Sequence, residues 1–346
     1  MFEIDGSQKS GSGTILRLAV AVSAITQQPL HITSIRRRRP QPGLKRQHLE
    51  SVLTAAKLCN ATVEGARLGS EELYFTPGPI EGGNVEAVIE TAGSIPMLFL
   101  ASLPICVYAK NPVTLHVAKG GTDTLHAPTI NYLKFVLLPT LCKLGVNAEI
   151  TVQKYGYYPK GLGEATMTVK PALLKAFEFE RFGSLKSVKG LSVCTFLSDR
   201  QVAKRQADAA LNFLAKNSYQ PNNNNIQVLN DQSNPYQKGS SIVLWAETDT
   251  DVLVGADALG ELGATSESVG EKAAKKLVLE LNTRSTVDLF LADMLIPFIA
   301  LSSGRSVFYT RALSEHLETN IWLMETMLNS VFSIEKVNNL YRIEKT

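Results

Sequence analysis

The sequence predicts a mixed α/β (α+β) fold made of three repeated units, with a smaller α/β domain inserted before the third unit. Apolar segments with helical spacing alternate with short strand-like segments in the order helix, strand, helix, strand, and this order occurs three times. A stretch of different composition, residues 184–281, separates the second occurrence from the third. We therefore expect residues 1–183 and 282–346 to form the repeat-built domain and residues 184–281 the inserted domain. The 346 residues, 45% of them hydrophobic, are enough for two cores.

Each unit is predicted from apolar residues at helical spacing and from alternation in the strands. The first unit has Ile15–Ile25, Pro29–Ile35, His48–Leu58 and Thr62–Glu64; the second Ile95–Val107, Val113–Ala118, Pro128–Leu144 and Ala148–Val152; the third Val287–Leu301, Ser306–Tyr309, Thr319–Met327 and Phe332–Lys336. A histidine lies near the start of the second helix of each unit: His48, His126 and His316. Units of this kind are expected to be stable only when they bury a face against one another.

The inserted stretch has its own succession of elements. We predict, in order, a strand at Gly190–Phe196, a helix at Asp199–Ala215, a loop at Tyr219–Asn225, strands at Ser240–Glu247 and Asp251–Gly255, and a helix at Ser268–Leu281. The loop is predicted from a proline followed by a run of asparagines.

The formal net charge is only +3, so any nucleic-acid surface must be local. The strongest basic cluster is Arg36–Arg39, with Lys45 and Arg46 close behind. Such a run is either a solvated face or an anion site. Its position directly after an apolar strand favours the anion site, since guanidinium groups match phosphate oxygens.

The four cysteines, Cys59, Cys106, Cys142 and Cys194, have no paired spacing and are predicted to be buried reduced thiols that bind no zinc. The first residues are acidic and polar, unlike a signal peptide. The longest apolar stretch, Leu289–Leu301, contains Asp293 and Pro297 and falls short of a membrane span. We expect a cytoplasmic protein without membrane contact, and a homodimer is compatible with these features.

Three polar, glycine-containing segments are candidate ligand loops: residues 5–14, 119–128 and 156–164. The first precedes a helix and can hold phosphate, although it lacks the Gly-Lys-Ser/Thr triplet of a Walker loop. It can equally be a flexible turn. The second either lines a nucleotide pocket or forms a polar loop. The third is either a ligand loop or a tight turn between strands.

The most informative segment is Ser314–Trp322. His316 is predicted to precede a helix whose N-cap is Glu318 or Thr319. The positive end of the helix dipole disfavours imidazolium, keeps the ring a neutral nucleophile and attracts phosphate. Together these properties favour attack on a phosphorus atom.

These segments together resemble the RNA 3'-terminal phosphate cyclase family. The residues from His316 to Asn320 resemble its H-x-x-T-N motif, and those from Gly156 to Gly163 resemble its G-x-x-P-x-G-G-G signature. Further matches run in family order from residue 5 to residue 322: Asp5–Gln8, Ile35–Arg36, Pro42–His48, Thr91–Ser94, Gly120–Asp123 and Leu291–Asp293.

The resemblance implies a fold of three repeated units, each with two helices on a four-stranded sheet, and a smaller inserted α/β domain. It also implies an ATP-dependent reaction that needs a divalent metal ion, Mg²⁺ or Mn²⁺. His316 takes AMP from ATP and releases pyrophosphate; the RNA 3'-phosphate then takes the AMP; the neighbouring 2'-OH closes a 2',3'-cyclic phosphate and expels AMP. Because the 2'-OH already lies beside its target, proximity favours closure, and DNA is excluded.

The resemblance also assigns residues. Arg17, Arg36, Arg39 and Gln47 are implied to grip phosphates. Phe290, Pro128 and Tyr132 match positions that cover the adenine face, although ordinary core packing remains an alternative. Asp293 is implied to orient His316, an arginine or the metal ion. Together with His316, Thr319 and Asn320 complete the implied nucleotide site.

The sequence departs from the family pattern at three positions. Ser10 stands where most members have a glutamate, Leu162 replaces a glycine, and Leu100 stands where some members have a glutamine. With serine at position 10 the ligands of the metal ion are left open, and we expect a weaker metal requirement. Two other functions are compatible with the repeats: that of a catalytically inactive cyclase-like protein acting in rRNA processing, which would lack the histidine nucleophile, and that of an enolpyruvyl transferase.

Overall fold

A computed structural model describes residues 1–219 and 225–346 of the chain. It has a mixed α/β fold with four β-sheets, as the sequence predicted. The loop predicted at 219–225 falls largely on residues 220–224, which lie outside the described residues. Within the described ranges, no helix combines the length and the apolar character that crossing a membrane requires.

Most of the predicted helices and strands are present, and several strands were not predicted. The strands are β1 (Phe2–Asp5), β2 (Leu30–Thr33), β3 (Thr62–Glu64), β4 (Leu73–Thr76), β5 (Gly83–Val88), β6 (Val113–Gly120), β7 (Asn147–Lys154), β8 (Gly163–Lys170), β9 (Leu185–Thr195), β10 (Asn225–Asp231), β11 (Gly239–Thr248), β12 (Leu253–Leu259), β13 (Ser306–Thr310), β14 (Phe332–Val337) and β15 (Leu340–Lys345). The helices are α1 (Gly13–Thr26), α2 (Arg46–Leu58), α3 (Ile95–Val107), α4 (Ile130–Tyr132), α5 (Leu138–Lys143), α6 (Val202–Lys216), α7 (Ser266–Thr283), α8 (Leu289–Leu301) and α9 (Glu315–Leu328).

The first two sheets have the same strand connections. In each, the first two strands are parallel, and the last strand lies antiparallel between the second and third strands, giving the orders β1-β2-β4-β3 and β5-β6-β8-β7. The sheet formed from residues 185–259 is ordered differently, as β10-β9-β11-β12. The last sheet has the order β13-β15-β14, and residues 177–179 add a short parallel bridge to Val307 of β13.

The core falls into two main clusters of buried side chains. The larger cluster joins the sheets at both ends of the chain, and the mostly buried helices α1, α3 and α8 cross it. The other lies between the β9–β12 sheet and helices α6 and α7. Because α1 packs on α2, α3 and α9, and α8 packs on α9, helices that are distant in sequence meet at one place.

Three local predictions differ from the structure. Helix α9 begins at Glu315, because Ser314 is its N-cap and its hydroxyl accepts the N–H of Leu317; the predicted caps Glu318 and Thr319 lie inside the helix. The helix predicted at Pro128–Leu144 is interrupted by a π-helical segment, Leu133–Leu137. The basic residues 36–39 form a turn rather than the end of a strand.

One hydrogen bond joins the beginning of the chain to its last helix. The backbone N–H of Ser10 donates to Thr319 Oγ1 at 3.2 Å, and that hydroxyl donates to the Glu315 carbonyl at 2.6 Å. Both Ser10 and Thr319 are buried, so water cannot replace the bond. The loop before α1 is therefore held against the first turn of α9.

Replacing Thr319 with valine keeps the shape of the side chain but leaves the Ser10 N–H without an acceptor. We expect Thr319→Val to lower the free energy of unfolding by about 1–3 kcal/mol, measured by urea denaturation. Thr326→Val is the matched control, because Thr326 makes the same bond to the residue four positions earlier in α9, to Trp322, but on the exposed face; its effect should stay within about 0.5 kcal/mol. Equal losses in the two variants would show that the Ser10 bond does not stabilise the fold.

Candidate functional site

A cavity of about 830 Å³ lies where these helices meet. Its volume falls in the usual range for sites that enclose a small ligand. The residues that the sequence singled out lie in its wall, with the exception of Thr319: Arg17, Arg36, Arg39, Gln47, Pro128, Tyr132, Phe290, Asp293, His316 and Asn320. Residues from the β12–α7 region complete the wall: Asp257, Ala258, Leu259, Glu261, Lys272 and Lys276.

Helix N-termini converge on this cavity. The first turns of α1, α2, α8 and α9 all contribute lining residues. The N-cap of α1 is Ser12, and Ser12, Gly13 and Thr14 lie in the wall, so the N-terminal loop leads into a helix start at the cavity. Unpaired N–H groups and aligned dipoles make such ends favourable for negative charge.

Three arginines add positive charge at the same wall. Arg17 is only 8% exposed, and within residues 1–219 and 225–346 no carboxylate pairs with Arg17, Arg36 or Arg39. Burial, together with the charge of Arg36, lowers the pKa of Arg17 to about 10. Since a buried cation without a counter-charge is costly, the arrangement favours an anionic ligand.

Arg36 and Arg39 differ from the two arginines between them. The Arg36 guanidinium donates to the carbonyls of Gln41 and Gly43 at 2.9 and 2.7 Å, and its backbone has a φ of +57°, so it also holds the turn. Arg39 donates to the Ser10 carbonyl at 3.3 Å. Arg37 and Arg38 are exposed and lie outside the cavity. Two arginines of the basic run therefore belong to the cavity wall, and the two between them belong to a solvated face.

His316 is the second residue of α9 and lies in the cavity wall. The pKa of its imidazole is below the usual 6.5, first because the surrounding protein excludes water from the ring and then because Arg17 and Arg39 repel a proton; Glu315 acts in the opposite direction. The ring is therefore neutral at pH 7 and retains a nitrogen lone pair. A neutral imidazole at a helix start can act as a nucleophile toward an anionic centre.

Asp293 positions the start of α9 without touching the histidine. Its carboxylate accepts the hydroxyl of Ser314, and its backbone carbonyl accepts the Asn320 side chain at 2.7 Å. Burial raises the pKa of Asp293 to about 7. Among the described residues its hydrogen-bond partner is Ser314 rather than His316 or an arginine, so it acts on His316 through the N-cap.

Gln47 and His48 close the other side of the cavity. The Gln47 side-chain oxygen accepts the N–H of Ser94 at 3.0 Å, just before α3. A Cβ on Gly13 would lie 2.1 Å from His48 Nε2, so only glycine allows the two to pack this closely. Burial and the nearby cations Arg17, Arg36 and Lys45 lower the pKa of His48 to about 2, so this ring is also neutral.

The wall of the cavity also has an apolar and aromatic part. Pro128 and the half-exposed Phe290 contribute their side chains. Lys276 Nζ lies 5.4 Å from the centre of the Phe290 ring. Tyr132 is fully buried, and its hydroxyl donates to Asp288 at 2.7 Å, so it forms the floor behind the wall. Phe290 and Pro128 thus offer the surfaces on which a flat ring can stack.

Sequence reasoning missed several wall residues. His48 and His126 were noted as counterparts of His316 and as parts of a family match and a candidate loop, but they were assigned no role in the site, and both lie in the same cavity. Asp257 and Lys276 were not singled out, because they belong to a stretch with no motif. Asp257 accepts the N–H of Thr129 at 2.8 Å, and Lys276 donates to the Asp257 carbonyl at 2.7 Å, so the β12–α7 region is fixed to the cavity rim.

One of the three candidate ligand loops lies outside the cavity wall. The loop at 156–164 joins β7 to β8, and its Leu162 has a φ of +56° where the family has glycine. Ser10, in the first loop, is buried, and its hydroxyl donates to Ser12 Oγ at 3.0 Å. Within the segment 119–128, Thr124 to Pro128 line the cavity, whereas residues 119–123 do not.

No group of three or more His, Cys, Asp or Glu side chains in the described part of the chain is arranged to hold a metal ion. The carboxylates of the wall have other partners: Asp293 accepts from Ser314, Asp257 from Thr129, and Glu261 pairs with Lys272 at 3.3 Å. The cavity therefore combines cations, helix N-termini and a neutral histidine with a stacking surface. Such an arrangement can bind a nucleotide and attack one of its phosphates.

Comparison with known proteins agrees with this geometry. The sequence profile of the RNA 3'-terminal phosphate cyclase family matches residues 8–334. The chain is similar to proteins named RNA 3'-terminal phosphate cyclase from three archaea. It is 42% identical to the one from Methanosarcina barkeri over 344 residues, covering 99% of both chains. It is 41% identical to that from Pyrococcus furiosus, covering 97% of this chain and 95% of the relative, and 41% identical to that from Caldivirga maquilingensis, covering 100% and 97%.

Proposed function

Because the chain belongs to the RNA 3'-terminal phosphate cyclase family, we propose that it uses ATP to convert an RNA 3'-terminal phosphate into a 2',3'-cyclic phosphate. The reaction makes it a ligase-type nucleotidyl transferase that acts through an adenylylated His316. The observation that carries the proposal is a neutral His316 at a helix start, in one cavity with the unpaired cations Arg17 and Arg39. RNA with a 3'-phosphate end is the partner.

In the first step an unprotonated ring nitrogen of His316 attacks the α-phosphorus of ATP. A P–N bond forms, the bond to the bridging oxygen breaks, and pyrophosphate leaves. Arg17 and Arg39 reduce the charge that opposes the attack and that collects on the leaving group. The hydrogen bonds from Ser314 to Asp293 and from Asn320 to the Asp293 carbonyl hold the helix start, so the ring keeps its orientation.

In the second step a terminal oxygen of the RNA 3'-phosphate attacks the phosphorus bound to His316. The P–N bond breaks and an RNA–AMP pyrophosphate forms. In the third step the 2'-hydroxyl loses its proton and attacks the 3' phosphorus, and AMP leaves. The hydroxyl lies on the neighbouring carbon of the same ribose, so no further positioning is needed.

ATP fits the residues present. The cavity has room for a nucleotide, and its wall contains Phe290 and Pro128 as well as the arginines. A stacking surface and cations in one cavity suit the base and the phosphates of one ligand. Thr319 and Asn320 contribute by holding the loop and helix that frame the phosphates, and Asn320 also lies in the cavity wall.

A divalent ion, Mg²⁺ or Mn²⁺, belongs to the proposal as a companion of the triphosphate. The described residues offer no cluster of ligands for a resident ion, and Ser10 supplies no carboxylate. An ion that keeps several waters and binds phosphate oxygens needs few protein ligands. We therefore assign no step to a protein-bound metal.

The proposal extends to architecture and assembly. We interpret the shared connections of the first two sheets, and the related last sheet, as three repeated units, with residues 184–281 as an inserted α/β domain between residues 1–183 and 282–346. A cytoplasmic location and a homodimer belong to the same proposal. The inactive cyclase-like alternative would need no nucleophile, and the exposed His316 in the cavity favours the enzyme.

The first prediction concerns the nucleophile. His316→Asn should fold normally but should carry no protein-bound AMP and form no cyclic phosphate, because asparagine has no nucleophilic lone pair. The assay is incubation with α-labelled ATP and Mg²⁺, followed by mapping of the acid-labile label. His116→Asn, outside the cavity, should label as the wild type does. Retained label in His316→Asn, or label at His48 or His126, refutes the assignment.

The second prediction follows from the lowered pKa of His316. A nucleophile with a pKa below 6.5 is neutral throughout the range above that pH. The single-turnover rate of adenylylation should therefore fall with acidification at a lower pH than it would for an imidazole with the usual pKa of 6.5. Removing one repelling cation in Arg39→Ala should raise the pKa and move the fall to higher pH. A wild-type rate that already drops between pH 8 and 7 contradicts this account.

The third prediction separates the arginines of the basic run. Arg39→Ala should weaken binding of 3'-phosphorylated RNA and flatten its salt dependence, because one phosphate contact releases about one counterion. Arg36→Ala should also weaken RNA binding, and it should in addition lower the stability of the protein because Arg36 holds the turn. Arg37→Ala is the exposed control and should bind as the wild type does. Negligible effects in all three, measured by fluorescence anisotropy across salt concentrations, would make the run a solvated face.

The fourth prediction tests the departure at Ser10. Ser10→Glu should lower the Mg²⁺ concentration that gives half-maximal adenylylation, since a carboxylate is a better ligand for a hard cation than a hydroxyl. Ser10→Gln is the uncharged control of similar size. If the three metal titrations superimpose, the loop plays no part in metal handling and is a structural turn.

A further inference from the structure

Two tyrosines outside the cavity are almost fully exposed. Tyr158 is 77% and Tyr236 is 75% exposed. Tyr158 lies in the turn between β7 and β8, and Tyr236 lies in the connection between β10 and β11. Single exposed aromatic residues are common, but two on adjoining loops form a patch that needs an explanation.

The two loops are fastened to each other at several points. The buried Asn234 donates to the carbonyls of Tyr155 and Leu162 at 2.7 and 3.1 Å, and the N–H of Tyr155 donates to Ser233 at 3.3 Å. Gly239 packs directly on the Tyr157 ring, where a Cβ would lie only 2.3 Å from it. The two exposed rings are therefore carried on one rigid support.

The patch is also basic. Lys160 follows Tyr158 by two residues, and Lys238 follows Tyr236 by two residues; both lysines are exposed. Neither pairs with a carboxylate within the described ranges 1–219 and 225–346. Pro159 and Pro235 stand next to the tyrosines and restrict the backbone. Rigid aromatic rings flanked by unpaired cations are the features with which proteins bind single-stranded nucleic acid.

The patch adjoins the cavity. Tyr157 forms a backbone bridge with Asp123, and the chain continues from there into Leu125 and His126, which lie in the cavity wall. Counting one bridge and three peptide steps, the Cα atoms of Tyr158 and Leu125 are at most roughly 16 Å apart. This span is short enough for an RNA whose end lies in the cavity to reach Tyr158.

We propose that Tyr158 and Tyr236 stack bases of the single-stranded RNA that leads away from the 3' end, with Lys160 and Lys238 near its phosphates. The proposal rests on the function proposed above and adds a second part to the RNA site. The lysines favour RNA over an apolar protein surface as the occupant, because their charge is complementary to a phosphate backbone. Stacking on tyrosine would hold the RNA without selecting its sequence.

The experiment measures binding of fluorescent, 3'-phosphorylated RNA to the full chain in the absence of ATP. Two RNAs are compared, a single 3'-phosphorylated nucleotide, which is too short to reach the patch, and an RNA of about 12 nucleotides, which is long enough to engage a stacking surface. Tyr158→Ala combined with Tyr236→Ala should weaken binding of the longer RNA about fivefold or more. The shorter RNA, which ends before the patch, should bind as it does to the wild type. Tyr158→Trp combined with Tyr236→Trp should bind the longer RNA as the wild type does, because tryptophan also stacks on bases.

Two controls make the result specific. Tyr74→Ala removes another partly exposed tyrosine, on the first sheet, and should leave both RNAs unaffected. Adenylylation of His316 from ATP alone should be unchanged in every tyrosine variant. If the wild type itself carries no label, the proposed function is refuted, but the comparison of the two RNAs still tests the patch. Equal weakening of the binding of both RNAs overturns the proposal, and so does unchanged binding of both. A loss of self-association in the alanine variant, without an effect on RNA binding, also overturns it and would make the patch a protein interface.

Discussion

The guanidinium of Arg17 is removed from water, and within residues 1–219 and 225–346 no carboxylate lies at ion-pair distance from it. A cation in that position raises the free energy of the empty site and lowers it again when an anion arrives. Other groups around the cavity also contribute positive charge. They are Arg36 and Arg39 in the wall and the N-termini of the four helices whose first turns line the cavity. The empty cavity therefore has a positive electrostatic potential that an anionic ligand neutralises. Sites of this kind lower the stability of the free protein and favour ligand binding.

The same positive field determines the state of the histidine. Arg17 and Arg39, added to the exclusion of water, keep the pKa of His316 below its usual value, so the cations of the proposed phosphate site also keep the proposed nucleophile neutral. The position of the ring depends on contacts between distant parts of the chain. Thr319 receives the Ser10 N–H, and Asn320 and Ser314 grip Asp293 from either side. Thr319 and Asn320 of the H-x-x-T-N motif thus hold the first turn of α9 against the N-terminal loop and α8.

The sequence predicted the long apolar helices well, because α1, α3 and α8 are buried around most of their circumference and their apolar runs are long. Strands such as β4, β5 and β15 were missed, since they are short and alternate weakly, and their pairing depends on partners elsewhere in the chain. The start of α9 was predicted too late, because a serine N-cap is a weak local signal beside the motif that follows it. In the site, the motif residues were found, whereas Asp257 and Lys276 were not, because only the packing of the β12–α7 region onto the cavity rim brings them there.

The central claim is that unpaired positive charge, with Arg17 at its centre, is held in the cavity for a phosphate-bearing ligand. Arg17→Met, which keeps the length and removes the charge, tests it most directly when the thermal midpoint is measured with and without pyrophosphate. The account predicts that the variant is more stable than the wild type without ligand, because a buried unpaired charge is gone, and that pyrophosphate stabilises the wild type but not the variant. A variant that is less stable without ligand and is still stabilised by pyrophosphate to the same extent would contradict it.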